Sequence, residues 1–317
     1  MFLVKIMRLN KFIIFLNSEF SCDLLNEIGG KAINILQLSQ YNFNIPSGFV
    51  ITNSLLTYVL EYNKILKKIK EMVAKINFDN IVNIFNMLKH EIISMRIPEN
   101  IINIVKKALK DAKLDKINVS IRSSGISEDL RKYSFAGLYD SFINIPVEEI
   151  MTYIKLCWAS QFNPQVLAYR LMKNLPLFEG MGVIVQETIC GDVSGVMFTQ
   201  NLDRKDELLI EANFGLGISV VKGEVTPDQY VVSRKKLKVL RKVLGQKDLK
   251  YVCADIGVKR VETSVNERNN FCLDDEMLIK LAKIGLKIEQ IFGAPQDIEW
   301  TIKDNTIYIL QSRFITT

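Results

Sequence analysis

The hydrophobic pattern of this chain changes its period near residue 118, and that change limits the folds that the chain can adopt. Residues 55–115 carry apolar side chains at helical spacing, and Pro98 is placed where a helix would begin. From Asn118 the apolar residues alternate as they do in a strand, and the strands and helices that follow come in no regular order. A doubly wound sheet needs regular alternation of strand and helix, so we expect an α+β protein instead.

Glycines and aspartates mark several element boundaries. Residues 29–40 predict a short helix that starts at a glycine pair, and Gly191-Asp192 predicts a turn between two strands. Asp274 or Asp275 can cap an amphipathic helix, because a side-chain carboxylate accepts hydrogen bonds from the first helical turn. That helix leads into a terminal β-hairpin.

Composition and charge describe an ordinary globular chain. Its 317 residues are 48% hydrophobic and 24% charged, and its net charge is +6. A positive charge of this size suits anionic small ligands or nucleic acid and selects neither. The basic run KKLKVLRK at 235–242 has no aromatic interleaving, so we interpret it as a solvated strand face and expect no nucleic-acid partner.

The five cysteines lie far apart and form no C-x-x-C pair. This spacing argues against a zinc knuckle and against a secreted disulfide framework, so we expect reduced thiols and a cytoplasmic protein. The single histidine, His90, lies in a helical pattern between Lys89 and Glu91, which indicates a structural or solvated residue. A metal site built from several histidines is excluded by the same count.

The N-terminal segment is apolar, but it does not look like a targeting segment. Lys5, Arg8 and Lys11 interrupt it, and no small-residue cleavage site follows. No apolar run approaches the roughly 18 residues that a spanning helix requires. We therefore expect neither a signal peptide nor a membrane partner.

Two segments in the first half of the chain combine cations with turn residues. Gly29-Gly30-Lys31 places a cation and free backbone N–H groups at a helix start, where the helix dipole favours an anion such as phosphate. Arg122-Ser123-Ser124 ends a strand with a guanidinium fork and two hydroxyls, and the loop that follows includes Gly137 and Ser141. A glycine turn with a surface lysine is the competing interpretation of the first segment, and both stay open at this point.

The terminal run QDIEWTIKDNTIYILQSRFITT places polar side chains inside a strand pattern. Glu299 offers a hard carboxylate oxygen and Gln311 an amide oxygen, and magnesium takes one or two such ligands together with phosphates and water. A solvated face with a weak surface ion pair between Glu299 and Arg313 explains the same residues. These two interpretations also stay open.

The loop of this hairpin decides which side chains share a face. A two-residue turn at Asp304-Asn305 would set Glu299 opposite Leu310 and point Gln311 to the other side of the sheet. A three-residue loop beginning at Lys303 would set Glu299 opposite Ile309 and Asp297 opposite Gln311. We prefer the three-residue loop, because it brings every charged or amide group onto one face together with Arg313.

Several stretches, quoted in chain order, carry a resemblance to a known family: IGGKAINILQLSQYNFNIPSGFVIT, VSIRSSGISEDLRKYSFAGLYDSF, CWASQFNPQVLAYR, VIVQETICGDVSGVMFT, IEANFGLGISVVKGEVTPDQYVV and FGAPQDIEWTIKDNTIYILQSR. The chain resembles the N-terminal nucleotide-binding domain of phosphoenolpyruvate synthase and pyruvate, phosphate dikinase. That domain is a branch of the ATP-grasp fold, also used by rifampicin phosphotransferase. The resemblance implies a single ATP-grasp domain over residues 1–317, whose two α+β lobes, about 1–185 and about 186–317, clasp the nucleotide.

The resemblance also implies roles for individual residues. The implied ATP-binding residues are Lys31, Arg122, Gly137, Ser141, Gln186 and Arg313, of which Lys31, Arg122 and Arg313 would be catalytic, and the implied magnesium ligands are Glu299 and Gln311. The chain departs from the family pattern at Ile218, where a glutamate is usual after FGLG, and at Gly125-Ile126-Ser127, which replaces the usual Ala-Thr-Ala.

The activity that the resemblance implies is phosphotransfer from ATP with Mg²⁺. Full-length family members continue into a swivelling phosphohistidine domain and then a barrel or substrate domain, which we do not find in this sequence. We therefore expect the acceptor to be a histidine on a separate protein, or a small molecule. A regulatory module that binds the nucleotide without catalysis is the alternative.

Overall fold

The computed structural model describes residues 11–128, 135 and 137–315. The chain divides into two compact units, which we call the first unit (residues 1–37 and 47–188) and the second unit (residues 38–46 and 189–317). Both contain helices and an antiparallel sheet, which confirms the α+β prediction. Residues 1–10, on which the signal-peptide argument depends, lie outside the described residues.

The first unit combines a sheet with most of the helices. Its strands are β1 (Ile13–Phe15), β2 (Gly48–Ile51), β3 (Val119–Gly125), β4 (Ser141–Ile145) and β5 (Met181–Glu187). Its helices are α1 (Leu25–Ser39, whose last residues belong to the second unit), α2 (Asn53–Tyr62), α3 (Leu66–Val73), α4 (Ile81–Ile93), α5 (Glu99–Asp111), α6 (Ile150–Ser160) and α7 (Pro164–Met172). The predicted helical stretch 55–115 and the strand from Asn118 are thus confirmed, and His90 is exposed on α4.

The sheet of the first unit has the strand order β1-β2-β5-β3-β4, and neighbouring strands are antiparallel. Strand β5 is central, which explains its continuous apolar run from Met181 to Val185: both of its faces are covered. Helix α6 packs on β3 and on α4, and Trp158 is fully buried there. The core therefore fixes the position of β3, the strand that carries Arg122.

The second unit is a larger sheet covered by one long helix. Its strands are β6 (Val193–Phe198), β7 (Glu207–Phe214), β8 (Asp228–Ser233), β9 (Val239–Val243), β10 (Leu249–Cys253), β11 (Val258–Glu262), β12 (Gln296–Lys303) and β13 (Thr306–Phe314). Its helices are α8 (Ile218–Val221), α9 (Val265–Asn269) and α10 (Asp275–Phe292). The six-stranded sheet has the order β13-β12-β6-β7-β8-β9, and β10 pairs with β11 in a separate hairpin.

Helix α10 closes the apolar face of this sheet. The Asp274 side chain accepts a hydrogen bond from the backbone N–H of Met277, as the sequence predicts, and Gly293 ends the helix in the left-handed conformation. Leu278 and Leu281 of the helix are buried in the same core as Trp300 of β12. In the described part of the chain, no helix has both the length and the apolar character needed to cross a membrane.

The expectation of reduced thiols is wrong for one pair of cysteines. Cys190 and Cys253 form a disulfide across a sequence separation of 63 residues. Cys190 lies in the turn before β6 and Cys253 ends β10, and the fold brings these two points together although nothing in the local sequence pairs them. Cys22, Cys157 and Cys272 are free.

A basic residue is also fully buried in the second unit. Lys247 forms an ion pair with Asp228, and both side chains have 0% exposure. The Asp228 carboxylate also accepts hydrogen bonds from the backbone N–H of Gly245 and of Cys272, each at 2.8 Å, and from the Tyr230 hydroxyl. The pair therefore joins the start of β8 to the segments before β10 and before α10.

Removal of the disulfide should lower the stability of the oxidised protein. A loop of this length corresponds to about 4 kcal/mol of lost chain entropy in the unfolded state. We expect Cys190→Ser to lower the Tm measured by thermal denaturation, and a reducing agent to lower the Tm of the unmodified protein by a similar amount. Cys22→Ser is the control and should leave the Tm unchanged; a Tm insensitive to reduction would contradict the assignment.

Removal of the buried cation should be more costly than removal of a surface cation. Lys247→Met leaves the Asp228 charge buried without its partner, so we expect a loss of about 3–5 kcal/mol in the free energy of unfolding. Lys235→Met is the matched control, because Lys235 is 81% exposed and pairs with Asp206 only at 3.8 Å. Urea denaturation of both variants measures the difference, and equal losses would contradict the structural role of the pair.

Candidate functional site

The glycine turn before Lys31 packs directly against the end of β3. Gly29 has φ of 79° and ψ of 169°, so helix α1 is interrupted there and continues after it. A Cβ atom at Gly29 would lie 2.2 Å from the Ser124 carbonyl oxygen. Only glycine combines this conformation with so close an approach. The helix start that the sequence predicts is therefore present, as the second part of a longer kinked helix.

The backbone at this helix start is not entirely open to a ligand. The Ala32 N–H donates to the Ser124 hydroxyl at 3.0 Å. The N–H group of Ala32, the residue after Lys31, is therefore occupied by the protein itself. The turn and the strand end form one hydrogen-bonded structure, in which Lys31 takes a fixed place.

Lys31 is buried and paired. Its ammonium donates to the Ser123 carbonyl oxygen at 3.1 Å and lies 2.9 Å from Glu128 Oε1. The exposed fractions of the Lys31 and Glu128 side chains are 8% and 3%. The interpretation of Lys31 as a loose surface lysine is therefore wrong.

Three more of the predicted nucleotide residues share one face of the sheet in the first unit. Arg122 lies opposite Ser141 of β4 and opposite Ile184 of β5. Gln186 is two residues further along β5, so it points to the same side as Arg122 and Ser141. Gly137, in the loop before β4, has φ of 70° and is exposed. Apart from Gly137, the predicted residues of this unit thus cluster around β3.

The terminal hairpin has the predicted face but not the predicted register. Its turn is the two-residue Asp304-Asn305, with φ of 48° and 60°, so the expected three-residue loop is wrong. A β-bulge at Leu310 compensates: Trp300 pairs with Ile309, and Glu299 pairs with Gln311. The alternation of polar and apolar residues gives no signal for a bulge, which depends on local twist and packing.

Because of the bulge, the polar groups of the hairpin lie on one face. Glu299 is opposite Gln311, and Asp297 is opposite Arg313. The row that starts at Gln311 and Glu299 continues across β6 to Glu211 of β7. We call the set Asp297, Glu299, Gln311, Arg313 and Glu211 the acidic face. Gln229 of β8 flanks it and donates to Glu211 Oε1 at 2.8 Å.

The acidic face holds a buried carboxylate with an unsatisfied oxygen. Arg313 donates to Asp297 Oδ2 from Nε at 2.9 Å and from Nη2 at 2.7 Å. Asp297 Oδ1 is buried without a hydrogen-bond partner among the described residues. Burial raises the pKa of the Asp297 carboxyl, Arg313 lowers it in part, and Glu299 and Glu211 raise it further.

These oxygens suit a hard divalent cation. Magnesium takes carboxylate and amide oxygens and keeps coordination positions for water and substrate phosphates. Within residues 11–128, 135 and 137–315, no cluster of three or more His, Cys, Asp and Glu side chains could hold a metal alone. Asp297 Oδ1, Glu299 and Gln311 are the oxygen donors on this face that could contribute to a metal site.

Sequence reasoning missed two acidic residues of these sites. Glu211 lies in the strand ELLIEANF, in which buried and less buried residues alternate. This alternation indicates that Glu211 is on the less buried face of the sheet. Glu128 follows the Arg122 strand and gives no such signal, because its partner Lys31 is distant in sequence. Both carboxylates become recognisable only when the strands are paired.

Comparison with known proteins gives a consistent result. The family model described as pyruvate phosphate dikinase, AMP/ATP-binding domain, matches residues 25–317. The chain is 36% identical over 309 residues to the uncharacterized phosphotransferase YvkC of Bacillus subtilis, covering 96% of this chain and 35% of that protein. It is 33% identical to a probable phosphoenolpyruvate synthase of Methanocaldococcus jannaschii, covering 97% and 27% of the two chains.

A third relative is the rifampicin phosphotransferase of Bacillus cereus, at 33% identity over 92% of this chain and 34% of that protein. The chain thus spans about a third or less of each of these three relatives. The matches confirm the resemblance that the sequence motifs indicate. The chain belongs to the family of pyruvate phosphate dikinase AMP/ATP-binding domains.

Proposed function

We propose that this chain is an ATP-grasp domain that binds MgATP and supplies the phosphoryl donor to a phosphotransferase reaction. Two observations in a member of this family support the proposal: the buried cation Lys31 at the end of β3 with the half-buried Arg122 on that strand, and the acidic face on β12 and β13. Phosphoryl transfer requires both, since cations bind the phosphate oxygens and oxygen ligands hold the metal.

In the first unit, Lys31 and Arg122 would bind the triphosphate. The Lys31 ammonium is a compact donor, whereas the planar Arg122 guanidinium can bind two phosphate oxygens at once. Ser141 and Gln186, on the same face as Arg122, would contact the nucleotide, with Gln186 near the base or sugar. Gly137 would allow the loop backbone to approach the phosphates closely.

In the second unit, Glu299 and Gln311 would hold Mg²⁺, and the unsatisfied Asp297 oxygen makes this residue a third candidate ligand. When bound, the ion would neutralise charge on the phosphate oxygens during transfer. Arg313 donates to Asp297 on the same face, and its guanidinium is the proposed phosphate-binding cation of this unit. The protein residues thus contribute position and charge rather than a covalent step.

The transferred group would be a phosphoryl or a pyrophosphoryl unit. A P–O bond of ATP breaks and a bond from phosphorus to the acceptor forms, leaving ADP or AMP. We propose a histidine nitrogen on a separate protein, or a small-molecule nucleophile, as the acceptor. The names of the relatives, which include phosphotransferases and phosphoenolpyruvate synthases, support this class of reaction.

Binding of MgATP should depend on both sites. Lys31→Met removes charge-assisted hydrogen bonds worth about 1.5–3 kcal/mol, so we expect the Kd for MgATP to rise about tenfold to a hundredfold. Glu299→Ala should weaken ATP binding in the presence of Mg²⁺ and have a smaller effect when the metal is chelated. Isothermal titration calorimetry measures both effects.

The controls are Lys236→Met and Glu262→Ala, both at exposed positions of the second unit. An unmodified protein that fails to bind MgATP at millimolar concentration would overturn the proposal. Turnover decides between catalysis and the regulatory alternative. Steady release of AMP or ADP in the presence of a phosphohistidine-domain protein, lost in Lys31→Met and Glu299→Ala, would exclude a module that only binds the nucleotide.

A further inference from the structure

We propose that Glu128 is a positioning residue that orients the Lys31 ammonium toward the phosphate groups of ATP. The inference rests on the proposed function, in which Lys31 binds the triphosphate. The observation behind it is a buried lysine held between two acceptors that are themselves fixed, Ser123 O and Glu128 Oε1.

The first acceptor is part of a rigid strand end. Ser123 is fully buried, its N–H donates to the Asp140 carbonyl at 3.2 Å, and its hydroxyl donates to the same carbonyl at 2.8 Å. The hydroxyl also lies 3.0 Å from the Ser160 hydroxyl of helix α6. The Ser123 carbonyl oxygen therefore has little freedom to move away from Lys31.

The second acceptor is held by a tight turn. Glu128 Oε2 accepts from the Gly125 N–H at 3.0 Å, and the Glu128 N–H donates to the Gly125 carbonyl at 3.1 Å. The neighbouring Ser127 hydroxyl donates to Glu179, which is paired with the buried Arg170 at 3.0 Å. The two oxygens of Glu128 thus have separate tasks: Oε2 anchors the carboxylate to the turn, and Oε1 holds Lys31.

This arrangement leaves a defined direction for a ligand. A lysine ammonium has three N–H donors. Two are directed at Ser123 O and Glu128 Oε1. We propose that the third is directed at a phosphate oxygen. A lysine that is already ordered loses less rotamer freedom when it binds, so preorganisation increases its contribution to affinity.

The chemistry of a glutamine at this position makes the proposal testable. An amide at residue 128 has one oxygen and one NH₂ group, so it cannot accept from the Gly125 N–H and from Lys31 with different atoms. In either orientation of the amide, its NH₂ group faces another N–H donor, at Gly125 or at Lys31. Glu128→Gln therefore conserves size and removes the orientation, while Glu128→Asp retains the charge but is one methylene too short to span both partners.

The experiment measures how well the protein distinguishes ATP from AMP. Calorimetric Kd values for a non-hydrolysable ATP analogue and for AMP, both with Mg²⁺, give a ratio that reports the contacts to the outer phosphates. We expect Glu128→Gln to lower this preference about tenfold, Glu128→Asp to lower it less, and Lys31→Met to lower it at least as much as Glu128→Gln. The double variant should equal Lys31→Met, because both changes act through the same ammonium.

Different results identify different failures. If Glu128→Gln weakens the binding of ATP and of AMP equally, Glu128 is a structural residue. If Glu128→Gln binds ATP more tightly, the Glu128 carboxylate is an anion that competes with the phosphates. Either result would overturn the positioning role. A Lys31→Met variant that keeps the full preference for ATP would instead overturn the proposed phosphate role of Lys31. Thermal denaturation shows whether Glu128→Gln folds, and Glu128→Asp keeps the test decisive if it does not.

Discussion

The pairing of β12 with a strand on each side is the constraint on which the second unit depends. Because β6 and β13 both hydrogen-bond to it, β12 cannot rotate, and its alternation assigns each side chain to a face. Ile298 and Trp300 fill the core against helix α10, while Asp297 and Glu299 face the other way. The apolar residues that stabilise the sheet are therefore also what holds the carboxylates in place.

In the first unit, a buried charge takes the place of strand pairing as the constraint on the site residues. A buried lysine is unfavourable unless its donors are satisfied, so the fold must provide acceptors where Lys31 enters the interior. Ser123 and Glu128 meet this requirement, and the closeness of Gly29 to Ser124 allows it. The burial of Lys31 thus places a demand on the end of β3, which must supply the acceptors.

Much of the fold could be predicted from local patterns. The helical stretch 55–115, the strand from Asn118 and the Asp274 cap each follow from periodicity or capping within a few residues. The Cys190–Cys253 disulfide, the pair of Lys247 with Asp228 and the role of Glu128 could not, because each depends on segments that are distant in the chain. The sharing of one face by Asp297, Glu299, Gln311 and Arg313 was predicted, but through a loop of the wrong length.

The Leu310 bulge makes the terminal hairpin tolerant of one change in length. The register of β12 and β13 shifts at Leu310, so that Trp300 pairs with Ile309 and the next pair along is Glu299 with Gln311. A sequence that lacks this residue can still form the two-residue turn and set the amide opposite the carboxylate. A one-residue gap at Leu310 in a related protein is therefore neutral for the acidic face, whereas a gap between Asp297 and Glu299 would turn a carboxylate into the core.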